Sequence, residues 1–415
     1  MKVLLCGADG FLGRHIAAAL VARGHQVVRG VRRARLPGDV LIDYRIDTAA
    51  EIWEARMPGI DVAINAVGIL RESRSGDFDL IHHRAPAALF EACRRAGIRA
   101  IQLSALGTTA TAYLSSKRAA DQALRSLLGE QGVVLRPGLV FGNDGDSTRF
   151  FLMMASLPVQ GDLRGAGDVQ PIHVDDVAAL VVRVAEGARV AGGILEAPGP
   201  RRLGYREWMA TYRDGLQLAP PLRIPLPAWA MAATARLAGL VPGSLLTPDT
   251  WAMLRAGNTG DPGPAQALLG RRLTPPHRFV AAEAAEWLRL RALAQWRRPL
   301  FIVVLALIWL ASALLSAGIF PVASSLALLA PFGLSGPAAM AVLALAIVAD
   351  LSMAALTVWR PGRRLWQAQI ALIVGYSLLV AWKLPMFLIH PFGPILKNLA
   401  VIVLLVELWA EERKP

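Results

Sequence analysis

The stretch KVLLCGADGFLGR, residues 2–14, joins a short apolar run to three glycines spaced three residues apart. The run Lys2–Cys6 is typical of a buried strand, and the residues after the last glycine follow a helical pattern. In a strand–turn–helix unit, such glycines permit a tight turn, close approach of a pyrophosphate and close helix packing. The free N–H groups at the helix start favour an anion. We therefore predict a dinucleotide site at Gly7, Asp9, Gly10, Phe11, Leu12 and Gly13.

The end of the second strand, Gln26–Val31, indicates which dinucleotide is preferred. An acidic residue here would hold the ribose 2′-hydroxyl of NAD(H), whereas arginine suits the 2′-phosphate of NADP(H). The sequence places Arg32 and Arg33 at this point, with no acid from residue 29 to residue 37. We therefore predict that NADP(H) is favoured over NAD(H), and a solvated basic turn is the alternative. Asp43 is either an acceptor for the adenine amino group or an ordinary loop acid.

Short β-prone runs alternate with helical patterns over residues 1–140, which predicts an α/β fold with a doubly wound parallel Rossmann sheet. Residues 141–298 are expected to form a smaller substrate-covering subdomain, to return to the sheet and to end in a connector helix. Ligands collect at the carboxyl ends of parallel strands. We therefore predict cofactor contacts where two strands end, at Ala66, Val67, Gly68 and Arg136. The later strands are expected at Val40–Ile42, Val62–Ala66, Ala100–Leu103, Val133–Leu135 and Asp168–Val174.

Residues 104–117 bring together side chains suited to proton transfer. Tyr113 and Lys117 are four residues apart, so they share one face if Tyr113 opens a helix. A phenol with a pKa near 10 is a poor acid–base group at neutral pH, and a nearby ammonium lowers its pKa. The spacing therefore predicts a tyrosine that transfers a proton with the help of a lysine.

These motifs, followed by Pro171–Ala178, occur in the order found in extended or atypical short-chain dehydrogenases/reductases, and residues 1–290 resemble that family. The branch they resemble includes an accessory subunit of respiratory complex I. The resemblance implies that Tyr113 donates or accepts the substrate proton, that Lys117 also holds the nicotinamide ribose, and that Ser104 orients the substrate carbonyl. Ser104 and Tyr113 stand closer together than is usual in the family. Three hydroxyl residues between them are alternatives to the serine: Thr108, Thr109 and Thr111.

Residues 299–415 contain four long apolar runs, which predict an all-α domain of four transmembrane helices. A helix needs about 20 residues to cross a hydrocarbon core of about 30 Å, and it satisfies its backbone polar groups internally. By hydropathy this region resembles the DoxX-like membrane family. The runs are Phe301–Ile319, Pro337–Trp359, Leu365–Leu388 and Pro394–Trp409.

Basic residues flank these runs unevenly, and the connection from Phe320 to Gly336 has no charge. Because lysine and arginine stay on the cytoplasmic side, we predict a multi-pass protein of a bacterial inner membrane, with the catalytic domain and both termini in the cytoplasm. The basic residues used are Arg289, Arg291, Arg297, Arg298, Arg360, Arg363, Arg364, Arg413 and Lys414.

The net charge of +13 suits anionic lipid headgroups, phosphate-bearing cofactors or nucleic acid. No recognition motif for nucleic acid is found in the sequence, so we expect no nucleic-acid partner. Cys6 and Cys93 provide neither a disulfide framework nor the spacing of a metal site. We therefore expect no metal.

One apolar segment outside the spans and one acidic residue within them also suggest functions. The apolar segment Ile224–Leu240 is interpreted as a helix that dips into the lipid headgroups or lines a lipophilic entrance, and an ordinary core helix is the alternative. Asp350 lies within the second apolar run, where an acid is costly unless it is paired or neutral. Its partners could be Lys383 or Lys397, and it either has a chemical role or fixes helix packing.

The fusion of a dinucleotide domain to membrane helices favours one function. We expect a membrane-anchored NADP(H)-dependent oxidoreductase that acts on a small lipophilic carbonyl or hydroxyl compound, quinone- or isoprenoid-like, reached from the bilayer. The alternative is a non-catalytic NAD(P)H-binding assembly or sensor module of a membrane respiratory complex. A unit that passes electrons to quinone would need a further carrier, and the sequence shows no site for one. Whether the protein joins a membrane complex or a homo-oligomer stays open.

Overall fold

The structure is a computed structural model that describes residues 1–163, 165–241, 244–391 and 393–412. Arg413 and Lys414, which the topology prediction uses, lie outside the described residues. The chain divides into two compact units, residues 1–292 and residues 293–415. We describe each unit by itself.

The first unit is built on a seven-stranded sheet in which every neighbouring pair of strands is parallel. Two smaller two-stranded sheets accompany it. The strands are β1 (Lys2–Cys6), β2 (Gln26–Val31), β3 (Val40–Leu41), β4 (Val62–Asn65), β5 (Arg99–Leu103), β6 (Gly132–Pro137), β7 (Val140–Phe141), β8 (Val159–Leu163), β9 (Ile172–His173), β10 (Ile194–Ala197) and β11 (Leu222–Leu226).

Helices connect these strands and cover both faces of the large sheet. Those of the first unit are α1 (Phe11–Ala22), α2 (Ala50–Glu54), α3 (Ala85–Ala96), α4 (Ala112–Leu128), α5 (Asp146–Ser156), α6 (Val174–Ala185), α7 (Tyr205–Gly215), α8 (Ala228–Gly239), α9 (Pro248–Ala256) and α10 (Gly263–Leu269). A π-helical stretch, Asp79–Arg84, precedes α3.

The strand order β10-β6-β5-β4-β1-β2-β3 confirms the predicted doubly wound sheet. Strand β1 pairs with β2 on one side and with β4 on the other, and its last residue, Cys6, is in register with Gly30 and Asn65. The chain adds β2 and β3 on one side of β1 and the later strands on the other side. The strand order therefore reverses at β1, and its carboxyl end is the switch point where such sheets bind ligands. The predicted glycine turn lies at this point.

Two predicted elements differ from the structure. Asp168–Val174 was expected to be a strand, but only Ile172–His173 forms one, and Val174 begins α6. The imidazole of His173 accepts a hydrogen bond from the backbone N–H of Asp175 at 3.3 Å and thereby caps that helix. The segment expected as one helix from Ile224 begins as strand β11, because Pro225 and Pro227 favour extended backbone, and α8 begins only at Ala228.

The second unit contains helices that match the four predicted spans. They are α11 (Ala282–Leu314), which begins in the first unit and continues through Pro299, α13 (Gly336–Trp359), α14 (Arg363–Lys383) and α15 (Pro394–Ala410). A short helix, α12 (Val322–Ala327), lies in the connection between the first two. Among the described residues, three helical stretches are long and apolar enough to cross a membrane: Ala282–Ile319, Gly336–Trp359 and Arg363–Lys383. The fourth predicted span corresponds to α15, which has 17 residues. The connector helix runs into the first span, as predicted.

Asp350 is buried within the second unit, and its partner differs from the two lysines that the sequence offered. Its carboxylate accepts a hydrogen bond of 2.6 Å from the hydroxyl of Ser312. Lys383 instead lies over the ring of Trp382, at 4.2 Å from the ring centre. Near helix ends, lysines extend toward the interface rather than into the bundle.

Candidate functional site

The glycine turn after β1 has a geometry that only glycine permits. Gly7 has φ +81°, and its N–H donates to the carbonyl of Gly30 at 2.9 Å. A Cβ at Gly13 would lie 2.0 Å from the carbonyl oxygen of Gly7, so no side chain fits there. Gly10 is exposed and caps α1 without a side chain. The first turn of α1 therefore presents N–H groups to a cradle shaped for a phosphate.

The end of β4 forms the second wall of this cradle. A Cβ at Gly7 would lie 3.0 Å from the side chain of Val67 and 3.2 Å from the carbonyl of Ala66. The ammonium of Lys117 donates to the carbonyl of Val67 at 3.1 Å, and a Cβ at Gly68 would lie 2.8 Å from the lysine nitrogen. The structure thus brings the glycine turn, residues 66–68 and Lys117 together.

Other predicted residues of the turn have structural partners. The ring of Phe11 fills the space beside Gly142, where a Cβ would lie 2.7 Å from it. The backbone carbonyl of Asp9 accepts from Arg14 at 2.7 Å. Leu12 packs against the core of the sheet. These residues can contact a nucleotide through their backbone, as expected at the start of a helix.

Tyr113 lies in the first turn of α4, one turn before Lys117. Its ring makes edge contacts with Phe78 and His82, with centroids 6.2 Å and 5.6 Å away. Within the described residues its hydroxyl has no hydrogen-bond partner. A half-buried phenol that is free of protein partners, beside a buried lysine, is available to a substrate.

His82 is a residue of this cluster that the sequence analysis missed. The N–H of Ile69 donates to its Nε2 at 3.0 Å, so in the neutral ring Nδ1 carries the proton and donates to the hydroxyl of Ser116 at 2.8 Å. Ser116 in turn donates to the backbone carbonyl of Tyr113 at 2.8 Å. The imidazole therefore joins the loop after β4 to the first turn of α4. A histidine without a recognisable motif gives no signal in a single sequence.

Burial controls the protonation of all three groups. It raises the pKa of Tyr113 to about 12 and lowers the pKa of Lys117 to about 8. Burial and the charge of Lys117 lower the pKa of His82 to about 2, so this imidazole is neutral at physiological pH. Before a nucleotide arrives, the phenol therefore holds its proton firmly, and the lysine is close to its titration point.

Ser104 and Arg136 belong to a different cluster. The hydroxyl of Ser104 donates to the carboxylate of Asp121 at 2.9 Å, and the guanidinium of Arg136 pairs with the same oxygen at 2.9 Å. Arg118 adds a third contact at 3.2 Å. Within the described residues, no hydrogen bond joins Ser104 or Arg136 to Tyr113 or to the glycine turn. Lys117 connects the two regions, because it also donates to the carbonyl of Leu103, beside Ser104, at 3.3 Å. Asp121, which organises this cluster, was also missed by the sequence analysis.

The three threonines after Ser104 have different environments. The hydroxyl of Thr111 accepts from the N–H of Leu114 at 3.3 Å and caps α4. Thr108 is exposed and Thr109 is half-buried, and within the described part of the chain neither hydroxyl has a hydrogen-bond partner. Thr108 and Thr109 therefore keep hydroxyls that a substrate carbonyl could use.

The arginines after β2 are available to a ligand. Arg32 and Arg33 are exposed, and within the described residues neither guanidinium has an ion-pair or hydrogen-bond partner. The acid of this loop, Asp39, is occupied, because it pairs with Arg29 at 3.2 Å and accepts from the N–H of Arg35 at 2.9 Å. In the described residues the loop thus offers the two guanidinium groups of Arg32 and Arg33 to a ligand, whereas the carboxylate of Asp39 already has partners within the protein.

Asp43 lies in the turn after β3 and is exposed. Its carboxylate accepts a hydrogen bond of 3.0 Å from the N–H of Arg45, and its own N–H donates to Asp47 at 2.8 Å. This geometry favours the loop acid among the two sequence-based alternatives, since a turn residue of this kind stabilises its own backbone.

A cavity of about 640 Å³ lies beside the Tyr113 cluster within the first unit. One wall comes from the loop after β4 and from the start of α4, including Leu70, Phe78 and Ala112. The other comes from α8, α9 and their connection, including Leu240 and Thr247. Phe78 contacts the ring of Tyr113, and Ala112 is its neighbour in the chain. The volume is that of a typical small-molecule site.

Family models match both parts of the chain. Residues 3–195 match the model of the NAD dependent epimerase/dehydratase family, and residues 306–406 match the DoxX-like family. In solved structures, human epimerase family protein SDR39U1 with NADPH is similar, with a TM-score of 0.54 and 22% identity over 69% of this chain and 99% of that chain. This likeness shows the fold.

Two curated relatives are similar in sequence. A ceramide reductase of Caulobacter vibrioides is 29% identical over 243 residues, covering 54% of this chain and 73% of that protein. NADH dehydrogenase (ubiquinone) 1 alpha subcomplex subunit 9 of Arabidopsis thaliana is 31% identical over 249 residues, covering 55% of this chain and 61% of the plant protein. The chain therefore combines an NAD(P)-dependent epimerase/reductase-like domain with a DoxX-like membrane domain.

Proposed function

We propose that this protein is a membrane-anchored NADP(H)-dependent oxidoreductase that uses Tyr113 and Lys117 on a lipophilic carbonyl or hydroxyl compound. The observation that carries this proposal is the cluster at the switch point. A phenol whose hydroxyl has no hydrogen-bond partner in the described part of the chain, and a buried ammonium, lie next to a phosphate cradle. In that cradle a Cβ at Gly13 would lie 2.0 Å from a backbone oxygen.

Each residue of the cluster would have a separate role in the reaction. When bound, the nicotinamide would supply or accept the hydride. Tyr113 would give its phenolic proton to the carbonyl oxygen during reduction and take it back during oxidation. Lys117 would stabilise the phenolate that forms, because an ammonium nearby favours the charged form of the phenol. His82 and Ser116 would hold the first turn of α4 in place, and Thr108 or Thr109, rather than Ser104, would orient the substrate oxygen.

The preference for NADP(H) rests on Arg32 and Arg33. A 2′-phosphate would meet two free guanidinium groups, which bind phosphate with paired hydrogen bonds. A ribose 2′-hydroxyl would meet Asp39, whose carboxylate is already held by Arg29 and by a backbone N–H. The remaining alternative, a solvated basic turn, predicts equal affinity for both nucleotides.

A lipophilic substrate is supported by three observations. The chain has helices suited to a bilayer, and one relative is a ceramide reductase. The cavity beside Tyr113 has apolar residues at Leu70, Phe78 and Leu240 in its lining, together with charged ones: Arg71, Glu72, Arg236 and Asp249. A domain that is tethered to the bilayer by helices of its own chain meets bilayer-resident substrates at high local concentration. We place the protein in a bacterial inner membrane, with the first unit in the cytoplasm, on the charge pattern around the spans.

Replacing Tyr113 by phenylalanine tests the proposal. We expect Tyr113→Phe to bind NADPH normally and to lower NADPH-dependent reduction of long-chain ketones in nanodiscs by about 100-fold or more, since general acid catalysis contributes 10²–10⁴-fold. Tyr205→Phe is the matched control, because Tyr205 lies in α7 outside the cluster. Turnover of Tyr113→Phe equal to that of the control would show that the phenol is not the acid.

A non-catalytic nucleotide-binding module is the second candidate, and two observations favour it. The pKa of Tyr113 is raised to about 12, and the hydroxyl of Ser104 is held by Asp121. This candidate fits a role in a membrane complex, as in the relative that is a subunit of NADH dehydrogenase. It predicts that Tyr113→Phe keeps the cellular role of the protein, while loss of the glycine cradle abolishes it.

A further inference from the structure

Helix α8 exposes apolar side chains along one face. We call this face the α8 stripe and define it by four residues at helical spacing, Trp229, Ala233, Leu237 and Leu240. Trp229 is 75% exposed and Leu240 is 79% exposed. The helices of soluble domains normally carry polar residues on their outer face. An outer face of this kind therefore indicates a surface that is covered in the working protein.

The opposite face of α8 already has a core. Met231 and Ala235 are buried and pack against Trp251 of α9, with Leu226 of β11 nearby. The stripe is therefore not the face through which α8 packs against the core of the domain. The outer face of α8 exposes Thr234 and Arg236 between its apolar residues, and burial in the domain explains only the inner face.

The charged residues of β11 and α8 are both arginines, Arg223 and Arg236. The neighbouring elements carry acids, at Asp162 of β8, which is in register with Pro225, and at Asp249 of α9. Leu222 and Ile224, on either side of Arg223, are exposed. An exposed apolar surface whose own charges are arginines suits an anionic bilayer, in which the arginines meet lipid phosphates and the apolar groups enter the headgroup boundary.

The stripe also borders the cavity beside Tyr113. Leu240 belongs to the stripe and lines the cavity as well. Arg71, on the opposite wall, donates to the carbonyls of Gly239 at 2.9 Å and of Val241 at 3.2 Å. These bonds hold the end of α8 against the loop after β4. They satisfy backbone carbonyls at the end of the helix and keep the two walls of the cavity at a fixed distance.

We propose that the α8 stripe lies in the headgroup region of an anionic bilayer, and that the cavity behind Leu240 receives the hydrocarbon chain of a membrane amphiphile from that side. The carbonyl or hydroxyl group of the amphiphile then faces Phe78 and Tyr113. The assignment of Tyr113 as the reacting residue rests on the proposed function. The contact between the stripe and lipid does not, and it is tested without turnover.

Fluorescence quenching tests the contact with lipid. Cys6 and Cys93 are buried, so a cysteine introduced by Leu237→Cys can be labelled selectively with bimane in the full-length protein. In nanodiscs of phosphatidylcholine and phosphatidylglycerol, we expect lipids with a nitroxide on the acyl chain to quench this label several-fold more than a label at Val21→Cys. Val21 is the control because it is a similarly exposed apolar residue, on α1. Equal quenching would mean that the stripe faces water or a protein, and the proposal would be wrong.

Photocrosslinking tests the cavity. A phosphatidylcholine that carries a diazirine near the end of one acyl chain is incorporated into the same nanodiscs, and the crosslinked peptides are identified by mass spectrometry. We expect crosslinks to residues 239–250 and to the segment around Phe78, and we expect Leu240→Trp to reduce them because the indole fills the mouth of the cavity. Crosslinks confined to the spans after residue 299 would contradict entry of a chain into the first unit. Crosslinks in the cavity together with inactivity of the wild-type protein would reject the proposed function and leave this inference standing.

Discussion

Lys117 shows how a single buried cation can link stability to pH. Its pKa falls from 10.5 to about 8, because burial disfavours the ammonium. At pH 7 the lysine is charged in both the folded and unfolded states, so the cost of burial is fully present. As pH rises from 8 to 10.5 the folded state loses the proton first, and the folded state therefore becomes relatively more stable.

Comparison with Lys117→Met makes this effect measurable. Relative to that variant, the nucleotide-free wild-type protein should gain up to about 3 kcal/mol between pH 7 and pH 10.5, at 1.36 kcal/mol for each unit of pKa. Thermal unfolding in detergent, followed by circular dichroism at both pH values, gives the difference. Lys2→Met is the matched control for the exchange of a lysine for methionine. A wild-type advantage that stays constant with pH would mean that Lys117 has an ordinary pKa.

Arg32 and Arg33 allow a prediction about cofactor choice. Changing both to serine should weaken NADPH binding by about 10- to 100-fold, since each lost charged hydrogen bond costs about 1.5–3 kcal/mol, partly screened at an exposed site. Binding of NADH should stay within about twofold, because NADH lacks the phosphate that these arginines would hold. Isothermal titration calorimetry measures both affinities. Arg35→Ser, in the same loop, controls for a general loss of positive charge, and an equal loss of affinity for both nucleotides would contradict the assignment.

At the scale of elements, α4 has two functions along its length. Its first turns carry Tyr113 and Lys117 toward the glycine cradle, and its next turn carries Asp121 into the cluster with Ser104 and Arg136. The helix starts at a defined place because Thr111 caps it. The resemblance places Tyr113, Lys117, Ser104 and Arg136 in one site. In the structure Ser104 and Arg136 are bonded to Asp121, whereas Lys117 donates to the carbonyls of Val67 and Leu103.

Asp121→Asn separates these two functions. Asp121 is 2% exposed, so its neutralisation would leave Arg118 and Arg136 without their shared counter-charge. We expect the variant to lose about 3 kcal/mol of stability, as happens when one partner of a buried ion pair is removed. Its affinity for NADPH should remain that of the wild type at temperatures where it is folded. Thermal unfolding and nucleotide titration measure the two effects, and a variant with normal stability and weak NADPH binding would show that Arg136 serves the cofactor.

At the scale of the whole molecule, the predicted topology puts the uncharged connection between the first two spans on the side of the membrane opposite to the first unit. Ser324 is exposed in that connection, and Pro361 is exposed between the second and third spans. With the first unit in the cytoplasm, a membrane-impermeant maleimide added to cells with a permeabilised outer membrane should label Ser324→Cys and not Pro361→Cys. The native cysteines are buried and do not interfere. The reverse labelling pattern would place the first unit outside the cytoplasm.

The amino-acid sequence by itself determined the strand–glycine–helix turn, the parallel sheet and the apolar spans. Each follows from local physics: a backbone with positive φ at Gly7, alternation of strand and helix patterns, and hydrocarbon length. The same local rules predicted that Tyr113 and Lys117 would share a helix face, and the bounds of α4 confirm this.

Only the tertiary structure decided which distant side chains meet. Ser104 donates to Asp121, His82 joins Ile69 to Ser116, and Ser312 donates to Asp350, across 13 to 38 residues of chain. A single sequence holds no record of such pairs, because a buried polar group takes whichever partner packing brings within reach, and packing depends on the whole fold.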